Sequence, residues 1–119
     1  MIKTLLLTIL LIMYSHIAFP SESYDKSNLL SCSAYHFRAK LNSQYLGKEK
    51  YDYHDKYFNN LQEIFLNRYP EVPTSSFILS VTSIMESWSY EAQEKGRSYA
   101  NSQIERNYKK LCNSIIEIN

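Results

Sequence analysis

Apolar residues recur every three or four positions over most of this chain, the spacing of one face of an α-helix rather than the alternation of a strand. Leu30, Ala34, Phe37, Leu41 and Tyr45 form one such stripe, and Cys32, Tyr35, Ala39 and Leu46 run beside it as a second. Together they predict a first helix over Ser27–Leu46, capped by Asp25 or Ser27 and stopped before Gly47, with neighbours on two sides. Tyr51, His54, Phe58, Leu61 and Phe65 carry three-four spacing and predict a second helix over Tyr51–Tyr69, ended by Pro70-Glu71-Val72-Pro73. Phe77, Val81, Ile84, Trp88 and Ala92 mark a third from Thr74 or Ser75 to Lys95. Its Phe77–Ile84 segment is β-branched enough for a strand, but it has no partner strand to satisfy its backbone. Ala100, Ile104, Tyr108, Leu111, Ile115 and Ile118 mark a fourth helix over Ser98–Glu117, with Cys112 on the edge of its apolar face.

The first 23 residues read differently. Lys3 is followed by an apolar run, Leu5–Met13, interrupted only by Thr8; Pro20 then breaks it, and Ser21-Glu22-Ser23 offers small residues for cleavage. The stretch through Phe19 is about fifteen residues, short of the roughly 20 needed to span a bilayer. Residues 1–23 are therefore expected to be an export signal, and 24–119 a single mature domain, periplasmic or secreted, with no membrane span. Leu29-Leu30-Ser31-Cys32 loosely imitates a lipidation box, but the polar segment Ser21–Asn28 separates it from the apolar run.

Export places Cys32 and Cys112, the only two cysteines, where a disulfide persists. Closing a loop of about 80 residues stabilises a fold by roughly 4.5 kcal/mol in the loop-entropy model. The bond also decides the architecture. If helices three and four ran through Gly96 as one rod of roughly 65 Å, Cys112 would end far from Cys32. A turn at Gly96 brings the start of the first helix and the end of the fourth to the same end, within disulfide reach. The expected fold is all-α: an up-and-down four-helix bundle stapled by one disulfide.

Composition narrows the function classes. Loss of Lys3 and Glu22 leaves the mature formal charge at +1 with no long run of one sign, so nucleic acid is not the expected partner. Asp52-Tyr53-His54-Asp55 is the one dense polar cluster, but the Glu-x-x-His pairs of di-iron bundles are missing and His54 belongs to an apolar stripe. No Cys-x-x-Cys-His sequence is present for covalent haem. His36, His54 and Met85 are the axial residues a loosely held haem would use, and each has a plainer reading, as surface, seam and core filler respectively. Ser80, Ser83 and Ser87 share a face but sit in no Gly-x-Ser-x-Gly elbow, and read as spacers for a close helix contact. No catalytic residue, metal or cofactor is expected.

Tyrosine is the surplus residue, with eleven in the chain. Tyr45, Tyr51, Tyr53 and Tyr57 crowd the junction of the first two helices and cannot all point inward. Tyrosine combines large contact area with a hydrogen-bonding tip and is enriched in protein interfaces. Tyr45, Tyr51, Tyr53, Tyr57, Trp88 and Tyr90 are therefore the candidate partner-binding residues. The expected function is that of a small exported binding protein of the envelope, acting on another protein as an inhibitor, immunity protein or chaperone does. The alternative is a bundle that holds a small molecule or non-covalent haem.

Overall fold

The computed structural model describes residues 25–117, so the expected export signal lies outside the described residues. Four helices follow one another: α1 Lys26–Asn42, α2 Lys48–Arg68, α3 Thr74–Lys95 and α4 Arg97–Glu117, with a 3₁₀ turn Ser43–Tyr45 after α1. Asp25 caps α1, its carboxylate accepting from the Asn28 N–H at 2.7 Å, as the sequence predicts. Past Asn42 the coil tightens, and the Ser43 hydroxyl donates back to the Ala39 carbonyl. Gly47 and Gly96 both have positive φ, +124° and +94°. Gly47 directly precedes α2, which begins at Lys48, earlier than Tyr51, and Gly96 alone separates α3 from α4, which begins at Arg97.

The helices alternate in direction, and α1 packs against all three others. Along α2, Lys26 approaches Tyr69 while Lys40 pairs with Asp55 at 2.9 Å, which sets the two helices antiparallel. Along α4, Cys32 bonds Cys112, Tyr35 meets Glu105 and Arg38 meets Asn101, again antiparallel. The disulfide joins the first helix to the last, with Cα atoms 5.2 Å apart.

Most predicted stripe positions line the core, but Leu41 and Leu46, on the two stripes of the first helix, are exposed, at 38% and 67%. Phe58, Leu61 and Phe65 of α2, Phe77, Val81 and Trp88 of α3, and Ala100, Ile104 and Ile115 of α4 are all buried. Phe77 links α3 to α2, its ring 5.1 Å from Phe65 and 6.2 Å from Phe58. Each such side chain removed from water stabilises the fold by about 2 kcal/mol before ordering entropy is subtracted. The spacer reading of the α3 serines also fails: Ser83 and Ser87 are exposed, and with Ser80 they donate to carbonyls of their own helix instead of admitting a neighbour. Bonding back to the carbonyl three or four residues earlier satisfies a hydroxyl without any tertiary contact. Among the described residues no helix is long and apolar enough to cross a membrane.

Candidate functional site

The centre of α1 is buried on every side: Cys32, Ser33, Ala34, Tyr35 and His36 are consecutive buried residues. Ser33 resolves its own polarity by donating to the Leu29 carbonyl at 2.7 Å. His36 cannot, because an imidazole is too rigid to reach its own backbone. It is fully buried and faces His54 of α2, with the two Nδ1 atoms 3.1 Å apart. This corrects the surface position read for His36 in the sequence. A pair joined Nδ1 to Nδ1 needs one proton between them, so at most one ring is charged. His36 Nε2 is buried without a hydrogen-bond partner. A bare lone pair is cheaper to strand there than an N–H. The least costly arrangement therefore has His36 donating from Nδ1 to His54 Nδ1, which leaves the other N–H on the half-buried His54 ring.

Aromatic rings surround the pair. Tyr35, Tyr57 and Tyr53 have ring centroids 5.2, 5.5 and 6.4 Å from His36. Burial, reinforced by the repulsion His54 would exert, pushes the His36 pKa down to about 3. Burial also lowers that of His54, with Glu105 opposing. Tyr35 goes the other way, up to about 12, through burial and then the nearby charge of Glu105, to which its hydroxyl donates at 3.3 Å. Burial lowers the Arg38 guanidinium, against the pull of Glu105 and Tyr35. The result at neutral pH is two uncharged imidazoles and a protonated phenol. A general acid or base works best with a pKa near the working pH, and His36 and Tyr35 are shifted away from it.

Two imidazole nitrogens already bonded to each other leave no room for an iron, still less a porphyrin, between them. Each would need to stand about 2 Å from the metal on opposite sides. Met85 is partly buried at the edge of the core. Among the described residues no three His, Cys, Asp or Glu side chains converge as metal ligands would.

The six candidate binding residues divide. Tyr53 and Tyr57 are one turn apart on α2, edge to face with centroids 4.5 Å apart, and Tyr53 is 45% exposed. Tyr51 is half-buried under the Lys40 ammonium, 5.6 Å above its ring. Tyr45 ends the 3₁₀ turn. Tyr90 is 67% exposed, but on α3. Trp88 occupies its α3 stripe position instead of a surface one, only 8% exposed and packed on Tyr108.

Beside Tyr57 lies a hollow of about 460 Å³. Its floor is Tyr57, Leu61 and Ile64 of α2 with Ile115 of α4; its exposed edge is Lys56, Asn60, Glu63 and Asn67. Sequence reasoning missed this hollow and the buried side of His36. The run Ser27–Phe37 contains no charged residue, and three helical turns without charge are a readable sign of a helix with no solvated face. No known protein family, curated protein or solved structure matches the chain.

Proposed function

We propose that the chain is an exported, disulfide-stapled binding protein of the cell envelope. It acts by holding or masking another protein, with the outer face of α2 around Tyr53 and Tyr57 as its contact surface. The export element of this reading rests on the pattern of Met1–Ser23. The contact surface rests on one observation: an exposed tyrosine, held edge-on by a second, beside the hydrogen-bonded pair of buried His36 and half-buried His54 and next to an apolar-floored hollow. Aromatic anchors fixed before binding lose little entropy when a partner arrives. A small apolar ligand in the hollow is the second reading, favoured by its volume, which falls in the range of small-molecule sites.

Tyr53→Ala and Tyr57→Ala test the first reading. Captured against the envelope fraction of the native host, at least one should lose roughly tenfold in affinity for its principal partner, while circular dichroism shows the helices intact. Undiminished capture by both variants removes α2 as the surface. Native mass spectrometry of freshly purified protein separates the second reading, which requires a bound small molecule.

A further inference from the structure

The stripe that borders the hollow is self-complementary. Tyr53, Lys56, Asn60, Glu63 and Asn67 follow one another at three-four spacing and are all exposed, so they form a single line of roughly 21 Å along the outside of α2. Asn60 is its centre. Lys56 lies one turn before it and Glu63 one turn after; Tyr53 and Asn67 lie two turns away on either side. A chain reading the same contacts in both directions about a midpoint is what a two-fold axis requires.

We infer that a second copy of the chain docks on this face, α2 against α2 and antiparallel, with the axis at Asn60; this rests on the reading of α2 as a protein-binding surface. In that register each Lys56 meets the second copy's Glu63, and each Tyr53 hydroxyl meets the second copy's Asn67 amide. The two Asn60 amides face each other, a pairing that fixes register at some cost in affinity. Tyr57 and Ile64, partly buried beside the line, approach their counterparts over the hollow. A parallel arrangement instead sets lysine on lysine and glutamate on glutamate, and like charges across a contact are costly. The charge pattern therefore selects both the partner and its direction. One helix face covers less than the roughly 800 Å² per partner of a standard interface, so the dimer is weak and reversible.

Sedimentation equilibrium on the oxidised protein, up to millimolar concentration, tests this. The wild type should dimerise reversibly, and raising the salt should weaken it because the paired charges are carried by side chains exposed on the single helix face. Lys56→Glu and Glu63→Lys each create two like-charge contacts and should raise the dissociation constant about tenfold or more. The double variant K56E/E63K exchanges the charges and should return to within about threefold of wild type. Both positions are exposed, so unchanged circular dichroism is expected throughout. A protein monomeric at every concentration, single variants that dimerise like wild type, or a double variant as weak as the singles overturns the pairing. The two readings fail separately. A monomer whose Tyr53→Ala form still loses its envelope partner ends the self-pairing alone, whereas intact dimers with undiminished capture by Tyr53→Ala and Tyr57→Ala end the envelope reading alone.

Discussion

Protonating His36 places a positive charge where no carboxylate answers it. Its neighbours are the rings of Tyr35, Tyr53 and Tyr57 and the imidazole of His54, and Glu105 acts on Tyr35 and His54. In the unfolded chain the same histidine titrates near 6.5, and in the fold near 3. The folded state thus binds fewer protons between those values. The contribution is fully present above about pH 6.5 and is lost progressively as the pH falls toward 3, reaching on the order of 4 kcal/mol. His36→Phe keeps an aromatic ring and removes both the titration and the stranded nitrogen. Its urea-unfolding free energy should match or exceed wild type at pH 7 and fall much less than wild type by pH 4. Parallel pH profiles for the two proteins would assign the acid loss to other groups. His36 was not legible from periodicity because it is off both apolar stripes of the first helix. Its burial comes from α1 being enclosed by three helices, a property of the assembled bundle.

The elements themselves were legible, because their limits are set locally. Proline excludes the helical conformation from the residue before it, and the two glycines adopt backbone angles that cost other residues strain. Gly96 has φ +94° and ψ 151° at the end of α3, a region populated almost only by glycine. A Cβ there would meet nothing within 4 Å, so the requirement is purely one of backbone. Gly96→Ala should cost about 1–3 kcal/mol, while Gln93→Ala, exposed in the preceding turn, should change stability by less than about 0.5 kcal/mol. Urea titrations of the two variants compare the backbone cost with an ordinary surface change. Equal stability of Gly96→Ala and wild type would mean that the turn relaxes into another form. The serines of α3 show where local reasoning ends. Their three- and four-residue spacing is the same whether a face meets a helix or water, and only the positions of the other helices decide.

At the scale of the molecule, the bond between Cys32 and Cys112 joins two helices that the chain separates by 80 residues. Its partners in holding α4 against α1 are thin: the Tyr35–Glu105 hydrogen bond at 3.3 Å, and Arg38 donating to Asn101. By contrast α1 and α2 share the His36–His54 pair, the Lys40–Asp55 ion pair and the Phe37–Phe58 contact at 5.1 Å. Lys40 further extends over the rings of Phe37, Tyr51 and Phe58. Reducing the disulfide restores the full freedom of the unfolded chain and should lower the unfolding free energy by about 4.5 kcal/mol. That is a large share of the 5–15 kcal/mol typical of a small domain. Because α4 has fewer ties than α2, the loss should not be uniform. In Cys32→Ser/Cys112→Ser, backbone amides of α4 should exchange with solvent at lower protection than those of α1 and α2, which remain coupled by their polar and aromatic contacts. Hydrogen exchange resolved by helix measures this directly. Equal loss of protection across all four helices would show that the bundle opens only as a whole, and the disulfide would then act on the unfolded chain alone.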